Sequence, residues 1–124
     1  MGERGMMATG NVGTVIKDLK TRIGGIATAL VSRDGLVLYA DVPAGVYTET
    51  FAIMCATILG AAATANTELN RAPPERIVIE GNDSKTIIVG SGKKALLVAV
   101  VDQTADLAKV LVEVVKVADV LKAN

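Results

Sequence analysis

The stretch from Thr50 to Thr67 carries no charged side chain and is built largely from Ala, Thr and Gly. It is about as long as a membrane-spanning helix, but its threonines and Asn66 make it too polar to prefer lipid strongly. A helix with one face in water normally carries Lys and Glu on that face. The stretch therefore predicts a helix of a soluble domain that is covered on more than one side, without membrane insertion.

Composition excludes several classes of function. Thirteen basic and thirteen acidic side chains give no net charge, and aromatic residues make up 2% of the chain. Nucleic-acid binding is therefore not expected, because the chain has no net positive charge and few aromatic side chains to stack on bases. Histidine is absent and Cys55 is the only cysteine, which removes the commonest general base, zinc clusters and disulfides. These counts predict no cofactor, no metal site and a cytoplasmic location.

Hydrophobic spacing and turn residues divide the chain into a flexible leader, residues 1–10, and one folded domain, residues 11–124. The predicted elements in chain order are helix 12–23, strands 25–32 and 36–40, helix 48–69, strands 76–80, 85–90 and 95–101, and helix 104–124. Asn11 and Thr48 are the predicted caps of the first two helices. Asp102 or Thr104 is expected to cap the last helix, and Asp106 to complement its dipole.

This order predicts an α+β fold, α-β-β-α-β-β-β-α, with one five-stranded antiparallel sheet. The segment ALLVAVV (95–101) is apolar on both faces, so it is the expected central strand, covered above and below. The strands at 36–40 and 76–80 are then the edges. The central helix is expected on one face, and the first and last helices on the other. Asp34-Gly35 supplies the positive backbone angles of a tight hairpin turn.

The segment GGIATALVSRDGLVLYA, the Ala-rich helix, RIVIEGNDSKTIIVGSGKKALLVAV and the closing amphipathic helix resemble the Roadblock family, the dynein light chain-like domains. The similarity covers about residues 12–122, and its most specific part is the turn Ser32-Arg33-Asp34-Gly35-Leu36. The resemblance implies a homodimer or heterodimer with a continuous ten-stranded sheet, paired central helices and no catalytic residues. It also implies binding or regulation of a Ras-like small GTPase, whose own site some bacterial members reshape to stimulate hydrolysis.

Helical spacing divides the central helix into two stripes. The stripe expected to meet the sheet is Phe51, Met54, Cys55, Ile58, Ala62, Ala65 and Leu69, and the opposite, charge-free stripe is Ile53, Ala56, Thr57, Gly60, Ala63, Thr64 and Thr67. Gly60 destabilises a helix interior by about 1 kcal/mol relative to Ala, which indicates close approach of another backbone. We therefore expect Gly60 and Ala63 at a dimer interface and the rest of the second stripe at a partner. The alternative is a smooth, partly exposed Ala helix.

The strand RIVIE (76–80) is an exposed edge that invites pairing with a second chain. If two copies pair antiparallel about Val78, Arg76 of each lies opposite Glu80 of the other, and Ile77 opposite Ile79. The segment is therefore charge-complementary to itself and a candidate dimer interface. In the alternative interpretation, Arg76 and Glu80 are charges that keep this edge from aggregating.

Four motifs favour structural roles over chemistry. Gly90-Ser91-Gly92-Lys93-Lys94 departs from a phosphate-binding loop at two positions and precedes a strand, which favours a hairpin turn. Cys55 has no histidine to activate it and is expected to pack as a thiol. Asp34 is expected to cap its own backbone. Asp83, Asp102 and Asp106 do not have the spacing of a calcium loop.

Three functions remain open at this stage. The leading one is a dimeric, non-catalytic module that binds or regulates a Ras-like GTPase. The second is a structural adaptor, dynein light chain-like, whose partners do not depend on nucleotide. The third is an enzyme or small-ligand sensor with a pocket between helix and sheet, for which the sequence offers no convergent polar residues.

Overall fold

The computed structural model describes residues 11–122, and the predicted leader lies outside these residues. The elements are α1 (Val12–Arg22), β1 (Ala27–Ser32), β2 (Val37–Asp41), α2 (Thr48–Glu68), β3 (Arg76–Glu80), β4 (Ser84–Ser91), β5 (Ala95–Asp102) and α3 (Leu107–Leu121). Their order and type confirm the prediction. The largest difference is at the last helix, which begins at Leu107 and not at residue 104.

The five strands form one antiparallel sheet in the order β2-β1-β5-β4-β3. The central strand is β5, as its apolar faces predicted, and it pairs with β1 on one side and β4 on the other. The edges are β2 and β3, also as predicted. Because the described part of the chain offers β3 no second neighbour, one row of its backbone groups faces outward.

Two hydrophobic cores lie on opposite faces of the sheet, as expected. On one face, α1 and α3 bury Ile16, Leu19 and Val114 against Leu97 and Val101, each at most 1% exposed. On the other face, α2 buries Ala52, Cys55 and Leu59 against the sheet. Within the described residues, the first face is thus covered by two helices and the second by one.

The predicted helix caps were wrong for α2 and α3, and for α1 the predicted residue has the N-cap position without a cap bond. Asn11 occupies the N-cap position of α1 but makes no side-chain cap bond. Thr48 is already inside α2, and its hydroxyl donates to the Val46 carbonyl at 3.5 Å. Asp106 caps α3, because its carboxylate accepts the Lys109 N–H at 3.3 Å.

The predicted caps of α3 form the turn that precedes it. The Asp102 carboxylate accepts both the Thr104 N–H, at 2.9 Å, and the Thr104 hydroxyl, at 2.8 Å. These hydrogen bonds, the backbone one first, lower the pKa of Asp102. Local side-chain bonding of this kind competes with helix formation, which explains why the helix begins at Leu107 and not at residue 104.

The β1–β2 turn is a tight hairpin in which only Gly35 has a positive φ, at 98°. The Leu36 N–H donates to the Ser32 hydroxyl oxygen at 2.9 Å, and the Ser32 hydroxyl donates to the Asp34 carboxylate. Asp34 therefore binds the Ser32 side chain and does not cap its own backbone as expected. A Cβ on Gly35 would lie 3.3 Å from the Ile53 Cα, so the turn packs directly against α2.

By length and composition, α2 is long and apolar enough to cross a membrane, and 17% of an 18-residue apolar stretch within it is buried in the described chain. It follows β2 and precedes β3, which belong to the same sheet. Its buried residues contact Ala29, Val31 and Val98 of that sheet. The helix therefore packs on the sheet as part of the domain, and the rest of the described chain leaves most of its surface uncovered.

Candidate interaction surfaces

The buried stripe of α2 differs from the predicted one. The residues that meet the sheet are Ala52, Cys55 and Leu59, whereas Met54 is 50% exposed and Leu69 is 71% exposed. At about 100° per residue, the observed stripe is rotated by roughly 80° from the predicted one. Apolar residues occur on all sides of this helix, so their spacing does not determine which side faces the sheet.

The predicted second stripe, here called the small-residue flank, is largely exposed. Ile53, Thr57, Gly60, Thr64 and Thr67 are exposed, and Ala56 and Ala63 are half-buried. A Cβ on Gly60 would meet no atom within 4 Å apart from its own helix. The described chain therefore supplies no neighbour that would require a glycine at this position.

The small-residue flank is more apolar than its threonines indicate. The Thr57 hydroxyl donates to the Ile53 carbonyl at 2.8 Å, and the Thr67 hydroxyl donates to the Ala63 carbonyl at 3.0 Å. These bonds to the preceding turn satisfy the hydroxyl donors within the helix. A partner that covers the flank can therefore bury both threonines without having to accept their hydrogen bonds.

A second exposed flank of α2 was not predicted. Phe51 and Ile58 are half-buried on this side, and Met54 and Leu69 are largely exposed; we call these four residues the bulky flank. The prediction had placed all four against the sheet. Phe51 and Ile58 do pack at the edge of the α2 core, whereas Met54 and Leu69 do not. The sequence signal that favours the observed arrangement is the small size of Ala52 and Cys55, which lets the helix lie close to the strands.

The edge strand β3 brings all of its predicted residues to one exposed border of the sheet. Ile77 packs into the α2 core, Val78 packs toward the α1–α3 core, and Ile79 is 40% exposed. Arg76 and Glu80 are exposed and form no ion pair with the described residues. Both charges are therefore available to another chain.

The titratable groups of the described chain do not form a catalytic arrangement. Burial raises the pKa of Cys55 to about 11, so the thiol is neutral at physiological pH and a poor nucleophile. The hydrogen bond from Arg22, at 3.1 Å, lowers the pKa of Glu113, with a further contribution from Lys116. Among residues 11–122, no three His, Cys, Asp or Glu side chains are grouped so that they could hold a metal ion.

The β4–β5 connection is a hairpin turn, as predicted, and not a phosphate-binding loop. Ser91 pairs with Ala95 across it, and Gly92 has a φ of 70°. The following segment is a strand, so no helix N-terminus points its N–H groups at the turn. The turn instead holds the β1–β2 hairpin, because Arg33 donates to the Gly92 carbonyl at 2.6 Å.

Comparisons with known proteins agree with this geometry. A sequence model described as the Roadblock/LC7 domain matches residues 12–101. The uncharacterized protein MJ0714 of Methanocaldococcus jannaschii is 28% identical over 117 residues, which are 94% of this chain and 98% of the relative. A solved structure described as MglB with tetrameric arrangement is 26% identical, with a TM-score of 0.82 over 89% of this chain and 84% of the other. Myxococcus xanthus MglB is 17% identical and has the same fold, with a TM-score of 0.88 over 93% and 94%.

Proposed function

Because the chain belongs to the Roadblock/LC7 domain family, we propose that it is a dimeric, non-catalytic module of the cytoplasm that binds and regulates a Ras-like small GTPase. The observation that carries the proposal is the surface of α2 between Thr50 and Thr67, which carries no charge and is left uncovered by the described residues. Proteins of this family are regulatory rather than enzymes in their own right. Any effect on GTP hydrolysis would thus act through the catalytic site of the GTPase.

The small-residue flank supports a twofold pair of α2 helices. If two copies of α2 pack antiparallel with Gly60 at the crossing, Thr57 meets Ala63 of the twin and Ala56 meets Thr64, while Ile53 and Thr67 lie about two turns from the crossing. Every contact at the centre then involves a small residue, so the helix axes can approach to about 8 Å. Self-association has a precedent in the MglB structure with tetrameric arrangement.

Helices that cross at an angle touch for about one turn on each side of the crossing. Gly60 and Ala63 are therefore assigned to the dimer contact. Ala56, Thr57 and Thr64 border this contact, and Ile53 and Thr67 lie beyond it. The sides of these five residues that the twin leaves uncovered are assigned to the GTPase.

The edge of β3 supports the same dimer. Antiparallel pairing about Val78 would place two Arg76–Glu80 pairs across the interface and join two five-stranded sheets into one of ten strands. A single twofold axis must then pass between the two copies of Val78 and between the two copies of Gly60. The two contacts can be tested separately, because one lies in the sheet and the other on the helix.

Sedimentation of four variants tests the dimer. Gly60→Arg and Glu80→Arg are expected to shift the protein toward monomer, and Glu80→Arg combined with Arg76→Glu should recover part of the dimer. Met54→Arg is the matched control, because it places the same charge on the bulky flank. If Met54→Arg dissociates the dimer and Gly60→Arg does not, the twin lies on the other flank and our assignment is wrong.

The GTPase proposal is tested with the Ras-like GTPases encoded in the same genome. Each is purified, loaded with GTP or GDP, and measured for binding and for hydrolysis rate with and without this protein. Binding that depends on the nucleotide supports the proposal. Thr67→Arg, which lies outside the dimer contact, should weaken the binding without dissociating the dimer. Binding that is indifferent to the nucleotide supports the alternative, a structural adaptor.

A further inference from the structure

An open groove of about 690 Å³ lies on the face of the sheet covered by α1 and α3, opposite α2. It is found where α1 begins and α3 ends, beside the β4–β5 turn. Its volume is within the range of small-molecule sites, about 300–1,000 Å³. Neither the small-residue flank nor the β3 edge contributes to it, so it is not part of the surfaces proposed above.

The floor and one side of the groove are apolar. Val12, Leu30 and Leu121 form the floor and are at most 7% exposed. Leu38 and Tyr39 form the side and are 46% and 38% exposed. The groove thus combines exposed apolar side chains with a buried apolar floor. Transfer of an apolar group from water into this groove lowers the free energy.

The charged side chains of the rim are all cationic. Lys93 and Lys94 are exposed, and their ammonium groups make no hydrogen bond or ion pair with any described residue. Lys122 also lines the groove, and it pairs at 3.5 Å with Asp119, which does not. No described Asp or Glu lines the groove.

The β4–β5 turn is held so that these lysines stay beside the apolar floor. Gly92 has a φ of 70°, and a Cβ there would lie 3.1 Å from the Cβ of Lys122. The absence of a side chain thus lets the turn pack closely against the end of α3. The Ser91 hydroxyl donates to the Ala118 carbonyl at 2.8 Å, which fixes the same junction and uses the polar group that would otherwise face the groove.

We propose that this groove binds a small amphiphile with an aliphatic chain and a carboxylate head. The chain lies along Leu30, Leu38 and Leu121, and the carboxylate lies at Lys93 and Lys94. Apolar surface and unpaired positive charge meet at this site, and this ligand class satisfies both. The proposal does not rest on GTPase regulation, because the site is on the other face of the sheet. For the small-ligand sensor considered in the sequence analysis, Lys93 and Lys94 are the convergent polar residues that the sequence alone did not reveal.

The two tyrosines of the chain provide a direct assay. The protein has no tryptophan, Tyr39 lines the groove, and Tyr47 is 84% exposed elsewhere. In the full-length Tyr47→Phe variant, acrylamide quenching of tyrosine fluorescence therefore reports on the groove. Decanoate, used below its micelle-forming concentration, is expected to protect Tyr39 saturably. Decyltrimethylammonium, with the same chain and a positive head, is expected to leave the quenching unchanged.

Variants of the rim and the side test the assignment. Lys93→Gln with Lys94→Gln should weaken decanoate binding about three- to tenfold, since each exposed charge contact is worth at most about a factor of five. Lys109→Gln with Lys116→Gln removes the same charge from α3 away from the groove and should bind normally. Leu38→Glu should abolish protection, and its unfolding curve shows whether the fold is retained.

Three results would overturn the proposal. The first is equal protection by the anionic and the cationic amphiphile, which would show non-specific apolar adsorption. The second is unchanged decanoate affinity when both rim lysines are replaced. The third is a Tyr39 that is already inaccessible to acrylamide without ligand, which would mean that another part of the chain or a second copy occupies the groove.

Discussion

Replacing Gly35 by Ala is expected to separate the β1–β2 turn from α2 at a measurable cost. The φ of 98° at this position is unfavourable for a residue with a Cβ, at about 1–2 kcal/mol. The new Cβ would also lie 3.2 Å from Ile53 Cγ1 and 3.3 Å from Ile53 Cα. The Cα cannot be relieved by a side-chain rotation, so overpacking adds about 1–3 kcal/mol. The expected total is about 2–5 kcal/mol.

Gly45→Ala is the matched control for this change. Gly45 has a similar φ of 88°, but a Cβ there would meet nothing within 4 Å. It should therefore show the backbone cost alone, about 1–2 kcal/mol, and the difference between the two variants isolates the contact with Ile53. The measurement is urea unfolding at one fixed protein concentration, because association makes apparent stability concentration-dependent. Equal destabilisation by the two substitutions would refute the packing of the turn against α2.

Three further predictions concern single side chains. Burial raises the pKa of Cys55 to about 11, above its ordinary value of 9.0, so the free energy of unfolding should fall as pH rises from 9 to 11, because the unfolded chain releases the thiol proton first. The thiol should react with a disulfide reagent at pH 8 only after unfolding, and rapid labelling of the native protein would contradict its burial. Asp106→Ala should destabilise α3 by about 1 kcal/mol through loss of the cap, whereas Asn11→Ala, at a position without a cap bond, should be close to neutral in the same denaturation assay. The hydrogen bond from Arg22 is the main cause that lowers the pKa of Glu113. The ion pair should therefore stabilise the fold above the usual titration range of a glutamate, less as pH falls, and less at high salt. NMR titration of Glu113 should show a higher pKa in Arg22→Ala, and an unchanged pKa would argue against the contact.

The order of elements could be predicted from the sequence because the hydrophobic spacing and the turn residues indicate the same helices and strands. The run from Leu96 to Val101 is apolar on both faces, which requires a central strand whatever the neighbouring loops do. Gly24, with a φ of 61°, ends the first helix, and the N–H of Gly25 donates to the Lys20 carbonyl at 2.8 Å. Such signals act within a few residues of the chain.

The helix caps could not be predicted, because the choice among the candidate residues depends on the tertiary structure and not on neighbouring residues alone. Asp102, Thr104 and Asp106 are all acceptable N-caps by residue type, and the choice depends on where the β5 backbone leaves the sheet. Asp102 is the last residue of β5 and pairs with Ser84, so the helix cannot begin immediately after it. The carboxylate that remains in register with the first helical N–H groups is that of Asp106.

The face of α2 is the point at which sequence pattern and structure disagree most, and the disagreement has a physical cause. Helical periodicity identifies a buried side only when the other sides are polar, and α2 has Met54 and Leu69 on one flank and Ala56 and Ala63 on the other. A single sheet buries one stripe of such a helix, so residues 11–122 leave two apolar flanks open. The small-residue flank permits close approach of another helix backbone, whereas the large side chains of the bulky flank keep another backbone at a distance. This difference is why Gly60→Arg and Met54→Arg, equal in charge, are expected to have unequal effects on the dimer.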